Sequence, residues 1–355
     1  MPRRTGLASI LSATLAVLAL TPVHAHHSRA AFQLDEKVSM NARVTKVRWS
    51  NPHMFLVADV VNDKGQKEEW IFEGHSISGL TRNGWMKDSV KVGDQIQLVV
   101  NRHRDPAKHF ALVDHVVMAD GRKFWSVGQP ERLAGAPAPV IKPSTDFSGN
   151  WRYRFPGTPE QVRQRILLGP QAPAAEGPYT ARAAAQVKAY NPDDNPTLRC
   201  LPTGLPSLLM TVYEYKWIRH PDRIVIEKEQ LLDATRTIHL TSKAPPAGLK
   251  PSLLGYSRGH FEADGTLVVE TTGFAPGPWG NGSGIDSSEQ KRIVERYKLI
   301  DGGMGLSLTY TQEDPVYFTK PVVGQGVFSK TPDSNFAKNP PCDLSAARQH
   351  LAFDR

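Results

Sequence analysis

Between Val38 and Gly74 the chain reads VSMNARVTKVRWSNPHMFLVADVVNDKGQKEEWIFEG, with apolar residues at roughly every second position and breaks at Asn51-Pro52 and at an Asp-Lys-Gly-Gln turn. A period of two sends successive side chains to opposite faces of an extended strand and cannot lay an apolar stripe along a helix. The stretch therefore predicts three strands joined by a turn and a hairpin. Two more alternating runs, DQIQLVVNRHR and HFALVDHVVMADGRKFW, follow SISGLTRNGWMKDSV, which predicts a short helix capped by Ser76 or Ser78 with Leu80 and Trp85 facing inward. Five short strands and one helix predict a small, partly open β-barrel of the oligonucleotide/oligosaccharide-binding shape, which by itself names no ligand.

Alternation returns after Phe147, in FSGNWRYRF, in LLMTVYEYKWIRHPDRIVIEKEQLLDATRTIHLTS, in GYSRGHFEADGTLVVETTGF and onward to VVGQGVFSK, punctuated by the hairpin signals HPDR, EADG and DGGMG. An antiparallel meander of this kind is expected to close into a barrel of about eight strands, either filled by its own side chains or holding one small ligand. The fold class is thus all-β, two barrels in series. Between the barrels, SVGQPERLAGAPAPVIKPSTD is rich in Pro and Ala and reads as a linker. The expected division is a signal segment over 1–25, a small barrel over 26–125, the linker over 126–146, the larger barrel over 147–335 and a tail over 336–355. The Ala-rich TARAAAQVKAYN predicts a helix placed over one mouth of the larger barrel.

The first residues place Arg3 and Arg4 ahead of an apolar run from Leu7 to Leu20, then Pro22 and a small-residue cleavage pattern ending at Ala25. An exported, periplasmic or secreted protein with no span in the mature chain is expected, and cleavage after Ala25 would leave His26 first. The formal charge of +8 falls to +6 when Arg3 and Arg4 leave, and the basic residues are interleaved with acidic ones. No Lys/Arg run tracks a phosphate backbone, so nucleic-acid binding is excluded. The two cysteines, Cys200 and Cys342, are expected to form a disulfide in an oxidising compartment and to pin the tail to the second domain.

Eight of the 12 histidines lie within the first 115 residues. A His26 at the mature terminus would offer its α-amine and its imidazole together, a chelating pair suited to Cu(II). His27 beside it and His53, held in a Pro-containing turn, complete the expected copper site, and His103 and His109 flank a hairpin that would let them converge. In the larger barrel, Arg236 and Ile238 share one strand face and Thr237 and His239 the other. Glu295, His239 and His260, if all turned inward, would supply a general acid and base. Trp151, Tyr213, Tyr215, Trp217 and Arg236 are the candidate lining of a ligand pocket. Gly255 to Gly259, GYSRG, matches the nucleophile-elbow pattern around Ser257, but an alternating strand follows where that motif needs a helix.

The motifs HHSRAAF, VTKVRWSNPH, WIFEG, LTRNGWMKDSVKVGD and ADGRKFW resemble a family of small secreted bacterial domains of unknown function that start His-His-Ser and carry an Asn-Pro-His turn. This resemblance covers residues 26–125, implies an exported small barrel and draws attention to His26, His27, Ser28, Asn51 and His53. The segments GNW, CLPTGLP, RTIHL, GHFEADGTLVVETTGF, VERY and EDPVYFTKP are similar to uncharacterised lipocalin-like bacterial proteins. Gly149 and Trp151 match the G-x-W start of lipocalins. The expected function is binding: a small apolar or amphipathic molecule in the second barrel and copper at His26, His27 and His53. The alternatives are a periplasmic enzyme, by copper-dependent oxidation at the N-terminus or cofactor-free isomerisation or hydration in the barrel, and a structural envelope protein.

Overall fold

The computed structural model describes residues 31–127 and 146–348, apart from 63, 159–160, 163–170, 212, 230–234, 241–244, 333, 335 and 337–341. The signal segment, His26, His27 and most of the linker lie outside the described residues.

The small barrel is built from β1 (Val38–Arg48), β2 (Phe55–Val61), β3 (Lys67–Glu73), β4 (Gln95–Arg102) and β5 (Phe110–Met118), with β6 (Lys123–Trp125) added at the edge of β5. β1 serves two neighbours: its first half pairs with β4, its second half with β2, and a register shift between Val44 and Lys46 bends it from one to the other. The ring closes where Ile71–Glu73 run parallel to Phe110–Leu112, so the barrel expected to be partly open is shut by a three-residue seam. Helix α1 (Ile77–Arg82) bridges β3 to β4, capped by Ser76, with Leu80 buried and Trp85 buried just beyond it. Val44, Leu56, Phe72, Leu98 and Val116 fill the interior, as the alternation requires.

The larger barrel takes β7 (Gly149–Tyr153), β8 (Glu214–Arg219), β9 (Arg223–Lys228), β10 (Arg236–His239), β11 (Tyr256–Phe261), β12 (Leu267–Thr272), then, after an excursion, β15 (Arg292–Ile300), β16 (Gly305–Glu313) and β17 (Val322–Lys330). Among the described residues these close into nine strands, with β17 pairing back onto β7. Eight of the nine contacts around the ring are antiparallel; β10 and β11 run parallel, joined at Ile238–Ser257 and His239–Arg258. The expected unbroken meander fails here because the connection over 240–255 is long enough to carry the chain back to the end of the barrel where β10 began. At the closure, a Cβ on Gly149 would lie 2.8 Å from Lys330 Cε, and Lys330 Nζ sits 5.3 Å from the Trp151 ring centre. Glycine at the start of G-x-W therefore makes room for a lysine laid across the tryptophan.

The excursion is the hairpin β13 (Gly277–Gly282) and β14 (Ile285–Ser287), for which the sequence carries no strand pattern. Helix α2 (Ala181–Lys188), capped by Thr180, falls in the Ala-rich segment and packs on this hairpin with Ala183, Ile285, Tyr317 and Phe318 buried together.

Cys200 and Cys342 are bonded, 142 residues apart. The tail is tied to more than the second half of the chain: Cys342 pairs as an isolated bridge with Asn51 of the small barrel, and Asp343 N–H donates to Asn51 O at 3.1 Å. Arg48 holds Asp343 at 2.8 Å, and Ala346 of α3 (Leu344–Ala347) packs with Phe32, Phe55, Phe110 and Leu112 on the outside of the small barrel. No helix among the described residues is long and apolar enough to cross a membrane.

Candidate functional site

The interior of the larger barrel was the expected pocket, and its expected lining is packed against itself. Trp151, Tyr215 and Trp217 belong to one buried cluster with Ile224, Leu267 and Phe328, and Trp217 meets Tyr297 edge-on at 5.0 Å. The Tyr215 hydroxyl donates to Leu208 O at 2.5 Å, and burial pushes it well above the ordinary phenol range.

Arg236 also points inward, and each nitrogen of its guanidinium is bonded. Nε donates to Ser257 Oγ at 3.0 Å, Nη1 to Glu295 Oε1 at 2.9 Å and Nη2 to Thr271 Oγ1 at 2.9 Å, with Nη2 also closing a fork on Glu295 Oε2. Tyr297 donates to Glu295 Oε1 at 2.7 Å, and Glu295 is wholly buried. Burial alone would lower the Arg236 guanidinium, but the Glu295 carboxylate beside it holds it above its ordinary value; burial, then the same carboxylate, raises Tyr297. An arginine engaged at all three nitrogens and a carboxylate engaged at both oxygens are committed to each other and to the barrel wall. Ser257 lies within β11 and inside this network, with a strand rather than a helix after it, which agrees with the missing nucleophile-elbow helix.

The catalytic grouping of Glu295, His239 and His260 does not assemble. His239 alternates out of phase with Arg236 and stacks on Tyr256 at 4.7 Å, and His260 is exposed, so both lie outside the wall that encloses Glu295. Tyr213 is not in the lumen cluster either: it lies near α1, where its hydroxyl and Ser76 share a hydrogen bond. Burial raises Tyr213 and the Ser76 bond draws it part of the way back.

That junction holds polar groups the sequence reading passed over. Arg82 of α1 pairs with the buried Glu229, which also accepts from Glu214 N–H at 3.4 Å. Lys228 Nζ donates to Leu208 O at 2.9 Å and sits 5.6 Å from the Tyr213 ring centre; burial drives it well below the ordinary lysine range. A second buried lysine, Lys291, donates to Leu205 O and Gly280 O and lies 4.8 Å from the Phe274 ring centre. Burial lowers it to about 7, against the pull of Asp314.

At the other barrel, His53 Nδ1 lies 2.8 Å from Glu73 Oε1, its side chain one-third exposed and the carboxylate buried. His53 has no second partner among the described residues, so Nε2 stays available. His103 packs edge-on against Phe32 at 5.5 Å, His109 stacks on Trp70 at 4.9 Å, and His115 contacts Asp114 at 2.9 Å over Trp125. His103 and His109 thus serve different aromatic neighbours rather than one site. Among the described residues no three His, Cys, Asp or Glu side chains are grouped to hold a metal.

Fold and geometry define an all-β, two-barrel protein with one disulfide, with a buried Arg236–Glu295 network in the larger barrel and a His53–Glu73 pair on the smaller one. Residues 14–111 match a family described as a family of unknown function, DUF6152, which takes in the small barrel up to the start of β5. No curated protein matches the chain.

Proposed function

We propose that the chain is an exported binding protein that holds copper on the small barrel, with His53 as the preformed ligand and His26, with its α-amine, and His27 completing the site. The observation that carries this reading is the Glu73–His53 contact. A carboxylate on Nδ1 fixes the imidazole and leaves Nε2 to a metal, the arrangement common behind metal-bound histidines. Ala31 O is bonded to Arg104 N–H at 2.7 Å, four residues after His27, and an extended run of four residues reaches about 13 Å. The larger barrel is read as scaffold, because the side chains expected to line a pocket for an apolar or amphipathic ligand form its core.

The test is native mass spectrometry of the protein exported under its own leader in copper-supplemented medium. A chain starting at His26 with one copper is expected, and copper is lost both in His53→Ala and when one residue is retained before His26, since the α-amine then becomes an amide. Equal copper retention in both variants would dispose of the reading.

A further inference from the structure

The face of the small barrel beside His53 is covered by the chain's own C-terminus. Ala346 sits among Phe32, Phe55, Phe110 and Leu112, residues of β2 and β5 and of the segment that precedes β1. Strand 2, strand 3 and the turn between strands 1 and 2 are where small barrels of this shape take their ligands. Here that turn, at Asn51, is bridged by Cys342 and Asp343, and Arg48 at the end of β1 reaches Asp343 and Ser345. A helix of four residues has no stability of its own. What keeps it docked is the Cys342 bridge and Asp343 N–H bond to Asn51, the partly exposed Arg48 pair, the packing of Ala346, contact with the short helical turn Pro196–Arg199 and the covalent bond to Cys200. Exposed ion pairs and single hydrogen bonds are weak tethers, and the disulfide is the covalent one among them.

We infer that residues 342–347 are a disulfide-held strap that closes the ligand face of the small barrel and releases it on reduction. A dithiol would give two electrons and two protons to the Cys200–Cys342 bond, leaving two thiols on the protein and the reductant as its own disulfide. Release uncovers Phe55, Phe110 and Leu112 and frees the Asn51 turn that precedes His53. Only this last consequence, control of access to His53, rests on the proposed copper site.

The experiment uses the whole oxidised protein, metal-stripped, before and after dithiothreitol, with thiol formation checked by mass. Hydrogen exchange at the Asp343 and Ala347 amides, which donate to Asn51 O and Asp343 O, reports docking of the strap. Binding of anilinonaphthalene sulfonate reports the uncovered face. Reduction is expected to speed exchange at both amides by about tenfold or more and to raise dye fluorescence, with the near-ultraviolet circular dichroism of the larger barrel's tryptophans unchanged. Ala346→Asp is expected to do the same with the disulfide intact. Unchanged exchange in the reduced protein, or in Ala346→Asp, would overturn the strap. So would loss of the tryptophan signal on reduction, because the bond would then be holding the barrel itself. Copper enters none of these readouts, so a failure to bind it would remove the metal site and leave the strap standing.

Discussion

Lys291, Ile293, Glu295 and Tyr297 are two residues apart in sequence, and all four are buried. Placing an ammonium and a carboxylate at positions that otherwise read as core has measurable costs. Replacing Glu295 with Gln or Arg236 with Met alone leaves a buried charge without its counterpart, and a loss of about 3–5 kcal/mol is expected in urea unfolding; Arg236→Met with Glu295→Leu should recover most of it. Lys291 predicts a pH dependence. Its pKa falls from the ordinary 10.5 to about 7 on folding, so below pH 7 both states carry the proton and the cost of burying it is present in full. Between those values the folded form has shed a proton that the unfolded chain still holds, so stability rises with pH, by at most about 1.4 kcal/mol per unit. Unfolding midpoints at pH 7 and 9 should show this rise in the native chain and a smaller one in Lys291→Met, where the buried Lys228 still contributes. Much of this was legible: alternation alone puts Lys228 in phase with Ile224 and Ile226, and separates His239 from Arg236. Grouping His260 with Glu295 needed the register between strands, which alternation within a strand does not carry.

At the scale of elements, strands with a one-sided apolar pattern were readable and the Gly-rich hairpin after β12 was not. Helix α1 was anticipated because its cap, its inward Leu80 and its closing turn are all local signals. Ser76→Ala should cost about 1–3 kcal/mol, since it removes the cap and also the partner of the Tyr213 hydroxyl, and Ser76→Thr should restore part of it in the same melts. The hairpin of β13 and β14 escaped because GPWGNG has no alternation to read; its shape comes from close approach. A Cβ on Gly280 would fall 2.0 Å from Ser287 Oγ and 2.6 Å from its Cβ. Gly280→Ala is therefore expected to destabilise by about 1–3 kcal/mol, and adding Ser287→Gly to relieve it, as measured by thermal unfolding of the single and double variants.

For the whole molecule, the disulfide, the all-β class and the two barrels in series were legible from cysteine count and strand pattern, whereas the tail's contact with Asn51 was not, because no local pattern records a partner almost three hundred residues away. Replacing Cys200 and Cys342 by Ser should lower the unfolding free energy by about 2–4 kcal/mol in denaturant titrations, through the long loop no longer closed. The two parallel seams, β3 against β5 and β10 against β11, carry a consequence of simple parity. A ring in which every strand runs opposite to both neighbours must contain an even number of strands, and these rings contain five and nine. Each must therefore harbour one mismatched pair, and each mismatch is short, two or three residues. Both are buttressed from elsewhere: the first by the strap lying over Phe110 and Leu112, the second by Arg236 reaching from β10 to Ser257 on β11. In an odd-numbered ring the mismatched pair is the natural gap, and in both barrels it is where this chain has placed a fastening.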